Sequence, residues 1–228
     1  MKRILLAVML AMPVVGQADA VSDFKQYQVM AEQGDANAQF NLGVMYSDGE
    51  GVKKDATKEA YWYEKAAAQG DVQAQFNLGL MYAKGEGVKQ DYTKAAYWYE
   101  KAADQGLAAA QFNLGVLYSD GEGVKKDDAE AVYWYEKAAQ QGYAKAQLNL
   151  GLMYAKGSGV KKDYTKAGYW WEKAGEQGEA KAQYNLGVLY RNGWGVKEDK
   201  AKAKMWFKKA DAQGYEEAKY KLFELENE

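Results

Sequence analysis

The 228-residue chain contains no cysteine and no histidine. Without thiols it has no disulfide, no thiolate nucleophile and no cysteine-ligated metal. Without imidazole it lacks the side chain most often used as a general base near neutral pH and as a nitrogen ligand for zinc, copper or nickel. Proline occurs once, at Pro13, so no later helix is interrupted by a missing amide donor. An excess of one charge is also missing: 30 Lys plus Arg against 32 Asp plus Glu leave −2, which gives no field to attract nucleic acid or an anionic membrane. Long apolar runs are confined to Ile4–Val15, which is too short to span a bilayer. Flanked by Lys2 and Arg3 before it and by Ala18, Asp19 and Ala20 after it, this run has the three-part layout of a secretory signal peptide. Residues 1–20 are predicted to be removed after Ala20, leaving a protein that is periplasmic or secreted and does not insert into a membrane.

What the chain has in abundance is itself. A shift of 36 residues brings residues 38–217 into register as five copies, 38–73, 74–109, 110–145, 146–181 and 182–217. A fixed period of this size marks a solenoid of stacked helix pairs. Copies 1 and 3 share "SDGEG" while copies 2 and 4 share "LMYAKG" and "DYTKA", which points to duplication of a 72-residue pair. In copy 1 the first helix is predicted over Ala38–Asp48, with Ala38, Leu42, Met45 and Tyr46 on one apolar face. Gly43 recurs in every copy as Gly79, Gly115, Gly151 and Gly187. Because a mid-helix glycine costs ~1 kcal/mol relative to alanine, it is expected to mark close approach of another helix backbone. Gly49 is expected to end the helix in a left-handed conformation, and Asp55 to cap the second helix, predicted over Ala56–Gln69 and stopped by Gly70. The stop at Gly34 makes residues 21–37 a leading half-repeat, and residues 218–228 read as a C-terminal capping helix with one polar face.

The pattern A-x-x-x-L-G-x-x-Y-x-x-G-x-G-V-x-x-D followed by A-x-x-W-Y-x-K-A-A-x-Q-G is carried in copy 2 by Ala74, Leu78, Gly79, Tyr82, Gly85, Gly87, Val88 and Asp91, then Ala95, Trp98, Tyr99, Lys101, Ala102, Ala103, Gln105 and Gly106. It resembles the Sel1-like repeat family, relatives of the tetratricopeptide repeat. The resemblance implies an all-α, right-handed α-solenoid of antiparallel helix pairs and a non-enzymatic adaptor or receptor that needs no cofactor, holds a protein or peptide and is monomeric. A cysteine-rich bacterial branch of that family staples its repeats with disulfides. This chain has no cysteine, so the penicillin binding reported for that branch is not carried over.

Candidate partner-binding residues lie on the first helices about 180° from Leu42, the side that lines the concave groove in related solenoids. An apolar strip runs through Phe40, Phe76, Phe112, Leu148 and Tyr184 beside Val44, Leu80, Val116, Leu152 and Val188. Its rim carries Asp48, Lys84, Asp120, Lys156 and Asn192, an alternation suited to an extended or helical peptide, with Arg191 next to the last of these. The same strip would also serve to fill the seam between consecutive first helices. Asn41, Asn77, Asn113, Asn149 and Asn185 form a ladder that is expected to bond neighbouring repeats rather than a ligand. The aromatic motif "YWYEKAA" at Tyr61, Tyr97 and Tyr133, with variants at Tyr169 and Met205, reads as packed core. In "RNGWG", Trp194 stands where the other copies have Glu50, Glu86, Glu122 and Ser158, and end-capping against Leu222, Phe223 and Leu225 is the preferred reading. Capping has no evident use for Arg191, which makes it the residue of that pentad to test for function.

Catalytic motifs are few. Ser22-x-x-Lys25 and Ser158-x-x-Lys161 match the Ser-x-x-Lys of penicillin-recognising enzymes, but Ser158 falls in a glycine turn, Ser22 falls at the loose start of the mature chain, and the companion motifs are missing. The "DGEG" turns lack the oxygen spacing of a calcium loop. A β-lactam-interacting or carboxylate-based hydrolase and a structural envelope component remain the alternatives to an adaptor.

Overall fold

In a computed structural model that describes residues 17–227, these residues form twelve helices and no strand. Helix α1 (Gln17–Glu32) precedes five antiparallel pairs, in each of which a first helix A is followed by a second helix B. The pairs are α2 (Ala36–Asp48) with α3 (Ala56–Ala68), α4 (Val72–Lys84) with α5 (Tyr92–Asp104), α6 (Ala108–Asp120) with α7 (Asp128–Gln140), α8 (Ala144–Lys156) with α9 (Tyr164–Glu176), and α10 (Ala180–Asn192) with α11 (Lys200–Asp211); α12 (Glu216–Glu226) closes the series. Each helix packs on the one before and the one after, which makes the array a right-handed α-solenoid whose core is a continuous column between A and B helices.

The A helices begin two residues earlier than the apolar period predicted. Asp35 is the reason: its carboxylate accepts from the Ala38 amide at 2.7 Å and caps a helix that starts at Ala36, and Asp71 does the same for Ala74 at 2.7 Å. Leu107, Tyr143 and Glu179 hold this position in the later copies without a side-chain cap bond. At the other end Gly49 has φ 76° and donates to Met45 O, as expected. Asp55 accepts from the Thr57 and Lys58 amides at 3.1 Å each, so the predicted B-helix cap is present, and Asp91, Asp127, Asp163 and Asp199 repeat it.

The mid-helix glycines face a different neighbour from the one predicted. A Cβ on Gly79 would lie 2.6 Å from the Tyr99 ring and one on Gly115 2.8 Å from the Tyr135 ring, while Gly43, Gly151 and Gly187 face Tyr63, Trp171 and Phe207 in the same way. An aromatic side chain of the partnering B helix is therefore the nearest neighbour in every copy, and the expected helix backbone comes second, the Ala95 and Ala131 carbonyls lying 3.4 and 3.2 Å from a Cβ on Gly79 and Gly115. Backbone does approach the second glycine of each turn: Gly87 lies against the Ala56 carbonyl and Gly123 against Tyr92, so each turn seats on the start of the preceding B helix. The aromatic triplets split accordingly. Tyr63, Tyr99, Tyr135, Trp171 and Phe207 are buried, whereas Tyr61, Tyr97, Tyr133 and Tyr169 are about half exposed and stand edge-on to Trp62, Trp98, Trp134 and Trp170. The reading of the whole motif as core thus holds for its third residue and fails for its first, because adjacent helix positions are about 100° apart.

A buried polar rail runs through the stack. Gln39, Gln75, Gln111, Gln147 and Gln183 are each no more than 5 % exposed. Gln111 Nε2 donates to the Ala103 carbonyl of the preceding B helix at 3.1 Å, and its Oε1 accepts from Gln141 Nε2 of its own B helix at 2.8 Å. The same two bonds recur in every copy, and Gln69 and Gln105 also donate to the Gly34 and Gly70 carbonyls one repeat back. Each amide in the rail is satisfied, so its burial costs little.

Residues 1–16, on which most of the leader prediction falls, lie outside the described residues. Helix α1 starts at Gln17 and continues through Ala20, which is 7 % exposed and whose carbonyl lies against Gly51 as Ala56 lies against Gly87. Ser22 is consequently an exposed residue within a helix, not part of a loose chain start.

Candidate functional site

On the A helices, the face away from Leu42 carries the predicted strip. Phe40, Phe76, Phe112 and Tyr184 are half-buried, as are Val44, Leu80, Val116, Leu152 and Val188, whereas Leu148 is buried. Each aromatic rests on the core ring of its own B helix, Phe40 on Tyr63 at 5.6 Å, Phe76 on Tyr99 at 5.9 Å, Phe112 on Tyr135 at 5.8 Å and Tyr184 on Phe207 at 5.7 Å. Phe112 and Tyr184 also meet Tyr143 and Tyr215, which begin the next copy, at 5.3 and 5.1 Å. One side of the strip is therefore seam and the other is open. Asp48, Lys84, Asp120, Lys156 and Asn192 are exposed along its edge.

Two expectations at the last copy exchange places. Arg191 Nη1 bonds Glu224 Oε2 of α12 at 2.6 Å, which holds that carboxyl below its usual range, so Arg191 is the member of the pentad that contacts the terminal helix. Trp194 is 43 % exposed and stacks on Tyr164 of the preceding copy, with ring centroids 5.0 Å apart. Its predicted partners are used elsewhere: Leu222 and Leu225 pack on the Phe207 cluster, and Phe223 is 70 % exposed. Asn192 Nδ2 donates to the Val188 carbonyl at 2.8 Å.

Three rungs of the asparagine ladder face tyrosines across repeats. The Asn77 side chain lies near the Tyr63 phenol of the preceding copy and acts to lower its pKa, as Asn113 does for Tyr99 and Asn149 for Tyr135. Burial pushes Tyr63 and Tyr99 up to about 12, so both phenols stay protonated. In copy 4 the tyrosine is Trp171, which donates instead to Leu148 O at 3.2 Å, and Asn185 Nδ2 is left buried with no partner among the described residues. Asn113→Ala is therefore expected to cost about 1–2 kcal/mol and Asn185→Ala less than about 0.5 kcal/mol, measured by urea unfolding. Equal losses at the two sites would contradict this account of the ladder.

Glu59 stands where the other copies have Ala95, Ala131, Ala167 and Ala203, all 0 % exposed. Partial burial raises its pKa, and Glu86 and Asp48 add to the rise while the Ser47 hydrogen bond and Lys54 oppose it. An acid whose folded-state pKa is raised loses stability as pH climbs from its unfolded pKa through its folded one. Glu59→Ala is thus expected to raise the melting temperature at pH 7, with the gain shrinking below the ordinary carboxylate range. A gain independent of pH would rule out the titration.

One cleft opens on the strip. It encloses about 240 Å³ at the junction of copies 3 and 4 and is lined by Ser119, Lys126, Asp128, Tyr135, Asn149, Leu152, Met153, Lys156 and Ser158. Leu152 and Lys156 of the predicted partner-binding set and Asn149 of the ladder thus meet in one place. Ser158 and Lys161 lie in the turn after α8, outside any helix, so they do not share a helix face. The glutamine rail was missed in the sequence, although its signal was there: a glutamine follows the invariant alanine in all five copies.

A stack of helix pairs with a hydrogen-bonded glutamine rail and a half-open, rimmed strip is a repeat solenoid of the kind that presents a binding surface. The chain belongs to the Sel1 repeat family, whose profile matches residues 36–71, 72–107, 108–143, 144–179 and 180–215, each match starting where an A helix starts. Sel1-repeat proteins are commonly protein-interaction scaffolds and generally non-catalytic. Among solved structures, the chain is similar to a protective antigen of uropathogenic Escherichia coli displaying an SLR fold, at 43% identity over 87% of this chain with TM-score 0.83. The chain spans 43% of the length of that antigen. It is similar to a Sel1 repeat protein from Oxalobacter formigenes at 36% identity, covering 90% of this chain and 86% of that one with TM-score 0.75. No curated protein matches the sequence.

Proposed function

We propose that the chain is a non-enzymatic adaptor that holds an extended or helical segment of a protein along the A-helix face, as a monomer in the periplasm or outside the cell. In this reading α1 is a leading half-repeat, α12 is the cap, and the strip from Phe40 to Val188 is the concave groove. The observation that carries it is the open side of that strip: every copy keeps at least one partly exposed apolar residue there, beside an exposed rim charge in the first four copies and Asn192 in the fifth, where packing alone would bury them. Among the described residues no helix is long and apolar enough to cross a membrane.

The rim is the place to test this, because Asp48, Asp120 and Lys156 are exposed and their reversal leaves the core intact. The triple variant Asp48→Lys, Asp120→Lys, Lys156→Glu is expected to keep the helical spectrum of the parent and to lose about tenfold or more in affinity for a partner captured from envelope extract. Unchanged affinity would move the interface to another face. Nitrocefin turnover that Ser158→Ala abolishes would overturn the non-catalytic part of the reading.

A further inference from the structure

The nine positions lining the cleft between copies 3 and 4 have counterparts at the other junctions, and the comparison isolates what differs there. At the junction of copies 1 and 2 the same register gives Ser47, Lys54, Tyr63, Asn77, Leu80, Met81 and Lys84, identical in type to Ser119, Lys126, Tyr135, Asn149, Leu152, Met153 and Lys156. Two positions change: Ala56 becomes Asp128 and Glu86 becomes Ser158. The second change alters the chemistry. Lys84 is engaged by Glu86 at 3.6 Å, and Glu59 adds a further carboxylate beside Ser47. At the junction of copies 3 and 4 serine replaces that glutamate and Ala131 replaces Glu59, so no ion pair engages Lys126 or Lys156 among the described residues. The remaining junctions have no lysine on the rim, where Asp120 and Asn192 stand.

We infer that this cleft is an anchoring subsite for a carboxylate of the bound segment, held by the Lys156 and Lys126 ammonium groups with Ser158, Ser119 and Asn149 as polar neighbours. The inference rests on the groove reading above and assigns the chemistry of one point in it. Two acids face the same space. Asp128 lies in the first turn of α7, where the free amide ends offset its charge, and Asp120 is exposed at the end of α6. Below them, the Tyr135 phenol lies with Asn149 and Ser119 in the lining of the cleft, so its floor is polar. Leu152 lines the same cleft and continues into the apolar strip, so a segment with an acid next to an aliphatic side chain fits the site.

The test uses the whole protein, labelled with nitrogen-15, at low ionic strength, with three short peptides of one Leu-Ser-rich sequence. The first has an internal Glu and an amidated end, the second has Gln and a free carboxyl end, and the third has Gln and an amidated end. The amide signals of Ser119, Asn149 and Ser158 are expected to shift with the first or second peptide and not with the third. Shifts with the first alone identify a side-chain acid as the source, and shifts with the second alone identify a chain terminus. Ser158→Glu restores the residue that three sister copies carry and therefore preserves the fold; it is expected to weaken binding about tenfold or more. The double change Glu59→Ala, Glu86→Ser is expected to create a second site at the junction of copies 1 and 2, reported by the Asn77 amide. Equal shifts with all three peptides, no shift with either acidic peptide, or indifference to Ser158→Glu would each overturn the inference. If the rim variant loses its captured partner while the peptides fail in any of these ways, the groove stands and only the acid anchor falls.

Discussion

Gly115→Val is expected to destabilise the protein by about 3 kcal/mol, although valine is a better helix former than the glycine it replaces. The added Cβ would stand 2.8 Å from the Tyr135 ring and 3.2 Å from the Ala131 carbonyl, both closer than ordinary contact, and a valine adds two further methyl groups. Neither obstacle is free to retreat: Tyr135 is 2 % exposed, packs against Phe112 at 5.8 Å and lies near Asn149 of the next copy. The expected result is a fall in the denaturant midpoint, with the loss partly recovered when Tyr135→Leu is added, because the smaller side chain vacates the space. If the two changes simply add, the glycine is kept for something other than this ring.

Gln111→Leu is the second large effect, expected at about 2 kcal/mol even though leucine is apolar and close in size. The buried side chain makes two bonds at once, giving one to Ala103 O and taking one from Gln141 Nε2. Leucine removes both bonds at a site that is 4 % exposed in the parent: the Ala103 carbonyl keeps only the Gly106 amide at 2.9 Å, the exposed Gln141 amide turns to water, and each lost bond costs about 1 kcal/mol. Gln141→Ala deletes one of the same bonds, so the double variant should lose less than the sum of the single losses, as chemical unfolding of all three proteins would reveal. Strict additivity would mean that the two side chains are not coupled.

These two residues also mark what the sequence reveals and what it hides. The period, the glycine stops and the aspartate caps were legible because each is a local need met by one residue type in every copy. The identity of the group facing Gly115 was not legible, since a missing Cβ shows that space is short without showing what occupies it. Gln111 was passed over because glutamine next to alanine on a helix ordinarily reads as surface, and only the meeting of three helices makes it interior. The exchange between Arg191 and Trp194 has the same origin. A tryptophan among glycines invites an apolar role at the end of the array, yet it is the long guanidinium that reaches Glu224, while the indole lies back on Tyr164. Where a side chain of that length points is decided by its neighbours in space, which a repeat alignment does not rank.

The candidate groove stands between these cases. Its strip and rim follow from helical period together with the geometry of related solenoids, and the structure adds that the aromatics share themselves between core and surface, which periodicity does not predict. It also adds a junction at which, among the described residues, no ion pair engages the lysines that line the cleft. The copies most alike in sequence, 2 and 4, thus differ at the position where the partner's chemistry would be chosen.

The central claim is that the A-helix face holds the partner, and photo-crosslinking from opposite faces tests it most directly. A benzophenone side chain is placed at Phe76 on the strip or at Tyr97 on the half-exposed B-helix face, and each protein is irradiated in envelope extract. The account predicts a discrete adduct from position 76, competed by unlabelled protein, and none from position 97. An adduct from position 97 with none from position 76 would contradict it.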